Sequence, residues 1–490
     1  MSRARTVMVC LGPFALAACA VGPDFKTPSA PPQTRYTPHP ITATAAPASA
    51  VGGGAQTLVP GADLDAQWWT LFHSHELNAL IEEALKANTD LAAARAALKQ
   101  AQETYKAQRG VLFPQVDASA STSRAKGTQY LAPALADNSF DYNLQTAQVN
   151  VGYTLDLFGG NRRAIEAAKA QFAQQRFLTE ATRITLAANV AAAAFQEASL
   201  RAQVAAQGRI IKLEEDTLGI MHRQQAQGQI AGADVLAQDA ALAQARAALP
   251  PLQKALTVQQ DLLAYLTGHA PGDGDIRGVN LATLTLPGQL PISLPSVLVR
   301  QRPDVRAAEE NLHSASAQLG VATAARLPNI MLSASAGGTG SSWRNLLSPA
   351  NSLWSLGAGV TAPLFDGGSL LHKQRAARAA LEQAGAQYRS AVLTAFQNVA
   401  DTLHALQLDA DALGAAQAAQ TTADRSFQVV QYQYKQGAVP FVNVLAAEQA
   451  LRQADQALVQ AQVARFADTA ALYQALGGGW WNAPEAAQAK

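Results

Sequence analysis

The chain has 490 residues and a net charge of +1, which excludes the basic footprint that nucleic-acid binding requires. It holds two cysteines, Cys10 and Cys19, too few for a disulfide-stapled fold. Hydrophobic residues make up 49% of it and charged residues only 15%, where soluble domains average about 25%; alanine and glutamine fill the gap.

In chain order, Arg3 and Arg5 precede an apolar run from Val7 that ends in Leu16-Ala17-Ala18-Cys19, the pattern of a secretory signal. Small residues before a cysteine suit a lipoprotein peptidase, so 1–18 is expected to be removed and Cys19 to be the acylated first residue. Ala20 follows it, not an aspartate, which favours the outer membrane over inner-membrane retention. Residues 19–63 are rich in Pro, Ala, Thr and Gly, including Gly52-Gly53-Gly54, and are expected to form an extended tether. Beyond the signal no run of 18 apolar residues occurs, so any membrane span must be a closed barrel.

From about Leu64 the chain reads as two copies of one unit. Asn88-Thr89-Asp90-Leu91 and Leu112-Phe113-Pro114 match Arg302-Pro303-Asp304-Val305 and Arg326-Leu327-Pro328. Leu157-Phe158-Gly159-Gly160 matches Leu364-Phe365-Asp366-Gly367-Gly368, and Gln227-Gly228 matches Gln436-Gly437. The expected divisions are 64–268 and 296–477 for the copies, 269–295 for a linker and 478–490 for a tail. The first copy has several extra residues, assigned to the loop around Ser123 to Asp141.

Each copy predicts helix, strand, loop, strand, long helix, tight turn, shorter helix. Val149, Val151, Tyr153 and Leu155 alternate with Asn150, Gly152 and Thr154; Trp354, Leu356, Ala358 and Val360 alternate with Ser355, Gly357 and Gly359. Val116, Ala118 and Ala120 alternate more weakly, and Ile330, Leu332, Ala334 and Ala336 complete a fourth strand. Period-two alternation fits both a soluble sandwich and a membrane barrel. The helices decide between them: Asn161 to Gln225 contains no proline and would approach 100 Å at about 1.5 Å per residue, too long to cap a sandwich.

A seam of Val235, Leu242, Leu249, Leu256 and Leu263 recurs at coiled-coil spacing, with Val444, Leu451, Leu458, Arg465 and Leu472 as its counterparts. Pro250-Pro251 is expected to kink or break the first of these helices, with a bulge there. Four strands cannot close a barrel, and open edges are not tolerated in lipid. The fold class expected is therefore membrane α+β, with a protomer that must oligomerise: four strands from each of three copies would give a closed 12-stranded transmembrane β-barrel, with the coiled-coil helices forming a tube beneath it.

The residues resemble the outer-membrane factors of tripartite efflux systems, of the TolC, OprM and NodT type. The carriers are Cys-Ala-Val-Gly-Pro-Asp from Cys19 to Asp24, Trp68-Trp69 with the helix Leu77 to Leu91, and Arg302-Pro303-Asp304-Val305-Arg306-Ala307-Ala308-Glu309. The resemblance spans the whole mature chain. It implies a homotrimer with a barrel in the outer membrane and a periplasmic α-helical coiled-coil tunnel: a passive exit duct, not an enzyme, closed at its lower tip until a periplasmic adaptor (membrane fusion) protein docks, with a proton-driven inner-membrane transporter behind it. It also implies that the adaptor contacts the tip turns, here Gln227, Gly228 and Gln229, and Gln436, Gly437 and Ala438. Relatives often place an aspartate near the second turn; this chain has Val439, Pro440 and Phe441 instead, so an apolar constriction at Val439 and Phe441 is expected in its place.

His73-Ser74-His75 lacks a surrounding cluster and reads as surface, not as a metal site. The glycine pairs lack the further residues of a phosphate loop, and Arg302-Pro303-Asp304 reads as a helix start. No cofactor is expected. Two other readings are a duct for protein secretion and a lipidated coiled-coil adaptor, the latter disfavoured because two hairpins, not one, follow the strands. Drugs, solvents and aromatic weak acids such as fusaric acid all fit the duct; four methionines and no Met-rich tract speak against soft-metal export.

Overall fold

Proline-free, alanine-rich stretches have the highest helix propensity available to a chain, and two of them dominate the molecule. The computed structural model describes residues 20–44, 50–126, 141–273, 278–346 and 348–483. Cys19, the signal segment and most of the Ser123 to Asp141 loop lie outside the described residues. The elements are β1 (Ala43–Thr44), β2 (Gln56–Pro60), α1 (His75–Ala87), α2 (Thr89–Gly110), β3 (Gln115–Lys126), β4 (Asp141–Leu155), α3 (Gly160–Ala226) and α4 (Gly232–Thr267). There follow β5 (Gln289–Ile292), α5 (Pro295–Gln301), α6 (Pro303–Ala324), β6 (Asn329–Gly340), β7 (Ser352–Thr361), α7 (Ser369–Lys435) and α8 (Phe441–Ala475). Both α3 and α7 have 67 residues. No described helix is long and apolar enough to cross a membrane.

The chain divides into two compact units, Met1–Thr27 with Lys99–Ala173 and Glu309–Gln387, and Pro28–Leu98 with Gln174–Ala308 and Tyr388–Lys490. The first holds an antiparallel sheet in the order β3-β4-β6-β7. Its register aligns Val116, Val151, Ala334 and Leu356 in one row and Ala118, Val149, Ala336 and Trp354 in the next. Because side chains alternate across a sheet, these rows form one apolar face across all four strands. The other face carries Asp117, Asn150, Ser335 and Ser355, tied by Ser335 Oγ to Ser355 Oγ at 2.8 Å and Asn150 Nδ2 to Ser119 Oγ at 3.2 Å. Among the described residues that face is left largely exposed, most of all on β7: Trp354 is 80% exposed, Leu356 79% and Val360 67%. A sandwich would have buried it.

The same unit clamps the start of the described chain. Val21 N donates to Phe158 O at 3.0 Å, the Arg163 guanidinium meets Asp24 at 2.6 Å and Glu166 at 2.7 Å, and Phe25 stacks on His313 at 4.3 Å. Gly22, at φ +98, lies so close to Gly320 that a Cβ would stand 2.5 Å from its Cα.

The second unit holds a small sheet, β1-β2-β5, in which β1 and β2 are antiparallel and β2 and β5 parallel. It corrects both the two-pair strand count and the extended tether. Arg465, expected in a coiled-coil seam, is fully buried and explains why: it donates to Gly52 O, Gly54 O at 2.9 Å, Leu406 O at 3.1 Å and Thr44 Oγ1. The Gly52–Gly54 run therefore presents carbonyls to a buried cation and is not a free hinge. Trp68, Phe72, Phe195, Phe466 and Tyr473 form the aromatic core beside it, with centroids such as Phe72 to Phe195 at 5.2 Å. After α8 the chain packs back too: Trp480 Nε1 donates to Gln301 O at 2.6 Å and Trp481 Nε1 to Asp63 Oδ1 at 2.9 Å.

The expected break at Pro250-Pro251 is absent, since α4 runs through both prolines. The two N–H groups lost there leave the carbonyls of Arg246 and Ala247 without their helical donors. The turn just before the prolines is held by other contacts instead. Gln207 Nε2 donates to Ala245 O at 2.8 Å, Arg246 pairs with Glu215 at 2.7 Å, and Leu242 and Ala245 are buried.

Arg302 begins α6 as the sequence implied, and also binds its surroundings. It grips Asp304 through Nε at 3.0 Å and Nη2 at 2.7 Å, and donates from Nη1 to Ala475 O at 2.9 Å. Ser74 caps α1 by accepting from Leu77 N at 3.2 Å, which accounts for His73-Ser74-His75. Among the described residues no group of His, Cys, Asp and Glu could hold a metal ion.

Candidate functional site: the paired helical turns

Within the second unit, α3 turns into α4 and α7 turns into α8 through the same backbone device. At the first turn Gly228 N donates to Gln225 O at 2.8 Å and Gln229 N to Gln224 O at 2.9 Å. At the second, Gly437 N donates to Tyr434 O at 2.8 Å and Ala438 N to Gln433 O at 2.9 Å. This pair of bonds is a Schellman motif, which needs a left-handed residue just past the helix; Gly228 and Gly437 supply φ +71 and +73. A Cβ on either would meet nothing within 4 Å, so the backbone angle alone selects glycine. Gln227, Gly228, Gln229, Gln436, Gly437 and Ala438 are all exposed, and Val439 is half-buried.

The two turns are joined by one core. Met221, Val235, Phe441 and Val444 are buried together, with Leu218, Ile230, Phe427, Val430, Tyr434 and Leu445 packed around them. Phe441 is 5% exposed and its ring lies 5.2 Å from that of Tyr434. Within the protomer Phe441 thus packs against the ends of α3, α4 and α7 and does not face solvent, unlike the expectation that it lines a constriction. The exposed apolar side chains near the turns are others, Ile220, Leu236, Val429, Tyr432 and Val442. Of these only Leu236 adjoins the apolar seam of α4, and Ile220, Val429 and Tyr432 lie on α3 and α7, where no seam is evident in the sequence.

Next to the apolar layer lies a polar one. Arg452 of α8 reaches Glu214 of α3 at 3.0 Å and Glu448 of its own helix at 3.2 Å, while Gln238 of α4 donates its amide to both the carboxylate and the backbone carbonyl of Glu214. Glu214 and Gln238 are buried. One guanidinium faces two carboxylates, so burial and then the charge of Glu214 push Glu448 up to about 7, against the pull of Arg452. Higher on α7 and α8, burial and Asp468 raise Asp409 to about 7 in the same way. Neither carboxylate pair stands out in the sequence, since the partners come from different helices.

The protomer thus combines a four-stranded sheet with one exposed apolar face and two long helical hairpins with exposed glycine turns. Comparison with known proteins gives the family. The model described as outer membrane efflux protein matches residues 80–269 and 294–478. The chain is 31% identical over 428 residues to the pyoverdine export outer membrane protein OpmQ of Pseudomonas aeruginosa, covering 84% of this chain and 87% of that one. It is 28% identical over 472 residues to the probable efflux pump outer membrane protein TtgC of Pseudomonas putida, covering 96% and 94%. The solved outer-membrane channel OprN superposes with a TM-score of 0.82 at 28% identity, over 94% of this chain and all of the other. This chain belongs to the outer membrane efflux protein family.

Proposed function

We propose that the chain is the protomer of a homotrimeric exit duct in the outer membrane of a Gram-negative bacterium, the last component of a tripartite efflux system. The observation that carries this is the β3-β4-β6-β7 sheet. Its apolar face is bare, and β3 and β7 each have one unpaired edge, which lipid does not tolerate. Pairing β7 of one copy with β3 of the next, three times over, would close twelve strands with the apolar face outward and the serine- and glycine-rich face inward. The family match in two stretches supports the reading of two repeated halves, 64–268 and 296–477.

The paired turns at Gly228 and Gly437 are the docking surface for a periplasmic adaptor, which links the duct to a proton-driven inner-membrane transporter. Val439, and not Phe441, is the candidate for a constriction there. Cys19 carries the lipid. The clamp on Val21, Asp24 and Phe25 supports this, because it places Ala20 next to the β4–α3 turn at Gly159, at the rim of the sheet. The cargo is toxic small molecules, with drugs, solvents and aromatic weak acids such as fusaric acid as the classes to test.

Deleting the gene and measuring retention of a panel of dyes, solvents and fusaric acid tests the function. Retention should rise for at least one class and return to normal when the gene is restored. Unchanged retention across the panel, with the neighbouring pump genes expressed, would contradict the efflux reading.

A further inference from the structure

We propose that a pocket between the N-terminal arm and the first turns of α7 binds the headgroup of an anionic phospholipid in the periplasmic leaflet of the outer membrane. The inference rests on reading the four-stranded sheet as membrane-spanning. The pocket lies wholly within the first unit, has a volume of about 280 Å³, and is lined by Pro23, Leu319, Leu371, Gln374, Arg375 and Arg378 among others.

Its position follows from the register. Gln115 pairs with Gly152, and Asn329 with Thr361, so the start of β3, the end of β4, the start of β6 and the end of β7 share one rim. The arm is pinned to that rim by the Val21 to Phe158 hydrogen bond, with Pro23 as part of the pocket wall. A sheet that spans the bilayer has lipid phosphates at this rim, within a few residues of the acylated position.

Its chemistry follows from unequal pairing. At the start of α3, Arg162 binds Asp156, and Arg163 is shared between Asp24 and Glu166. At the start of α7, Lys373, Arg375 and Arg378 are exposed, and among the described residues none has a carboxylate within ion-pair distance. Asp366, the nearest carboxylate in sequence, turns its oxygens to the backbone instead, accepting from Gly368 N at 2.9 Å and Leu370 N at 2.6 Å. Gln374 is committed as well, donating to Thr323 Oγ1 at 3.0 Å and accepting from Arg326. The pocket thus offers two free guanidiniums, whose planar forks suit phosphate, beside the apolar side chains of Leu319, Leu371 and Pro23. Leu364 and Phe365, 97% and 93% exposed just before α7, extend the apolar rim toward the sheet. Unpaired arginines next to apolar surface match a phosphodiester with a glycerol and acyl chain behind it better than they match a free ion.

Full-length protein in mild detergent, titrated with dioleoyl phosphatidylglycerol or dioleoyl phosphatidylcholine and read by native mass spectrometry, tests the proposal. Two cations near an anionic headgroup should give roughly a tenfold or greater preference for phosphatidylglycerol. Arg375→Gln with Arg378→Gln should abolish that preference, and Lys254→Gln, a charge loss on α4, should leave it intact. A phosphatidylglycerol with a photoreactive headgroup should label the wild-type peptide containing Arg375, a readout that needs no variant. Equal binding of the two lipids, labelling elsewhere, or full displacement by 10 mM inorganic phosphate (about the level of a strong small-anion competitor) would overturn the lipid site. Insertion into phosphatidylcholine vesicles, measured by resistance to carbonate extraction, tests the sheet separately: a protein that inserts but shows no headgroup preference refutes only the pocket.

Discussion

Replacing Glu448 by Gln should remove a pH dependence from the paired turns and stabilise them above neutral pH. Glu448 is held with Glu214 and only one guanidinium, Arg452, and burial followed by Glu214 raises it to about 7 from an ordinary 4.5. A raised carboxyl binds its proton more tightly in the folded protein. Its contribution is fully present below about 4.5, declines as pH rises toward about 7, and is then flat, following the proton-linkage relation. Glutamine imitates the protonated form and leaves Arg452 paired with Glu214. At pH 8 the variant should therefore be more stable than the wild type by on the order of 1–3 kcal/mol, the scale of a shift of this size. At pH 4.5 the two should agree. The assay is the thermal midpoint of the purified protein at half-unit pH steps, taken as the difference between wild type and variant so that Asp409 and the histidines cancel. A difference that does not change between pH 4.5 and 8, or a variant less stable at pH 8, would refute the reasoning.

Arg465→Ala should cost about 3–5 kcal/mol, because it takes the side-chain donor from the carbonyls of Gly52 and Gly54 and empties a fully buried site; the measurement is a lowered unfolding midpoint with faster protease cleavage in the β1–β2 segment. Leu356→Arg and Val151→Arg should prevent recovery of the protein in the outer-membrane fraction, at up to about 2–4 kcal/mol per charge on a lipid face. Asn150→Arg, one residue away on the polar face, should be recovered normally, and equal recovery of all three would contradict the assigned orientation of the sheet. Gly437→Asn keeps a residue tolerant of the left-handed angle and adds bulk only toward open space, so it should assemble normally yet lose crosslinking to the adaptor; normal crosslinking in this variant, in Gly228→Asn and in the double variant would leave the glycines a purely structural role.

Much of this architecture was legible because its signals are periodic. Missing prolines placed α3 to within about a residue of its observed ends, where helix boundaries vary by one or two. Period-two alternation found all four sheet strands, since a register built from many aligned pairs leaves little freedom. What escaped was non-periodic. The strands β1, β2 and β5 are only two to five residues long, and β1 and the loop after it are held by Arg465, which in sequence looks like a flaw in an apolar seam. The proline pair in α4 was read as a break because local preference was weighed without the clamps from Gln207 and Glu215. Phe441 was read as channel-facing from its neighbours in sequence, whereas its true neighbours, Met221 and Val235, come from the other hairpin.

If the four-stranded sheet is one third of a barrel, three chains must assemble to close it. The mass of the full-length protein in a mild detergent, by light scattering corrected for bound detergent or by native mass spectrometry, addresses this directly. Three copies of the chain, surviving conditions that leave no free monomer, is the result expected. A compact, stable monomer, or a dimer, with the sheet still embedded in the micelle would contradict it.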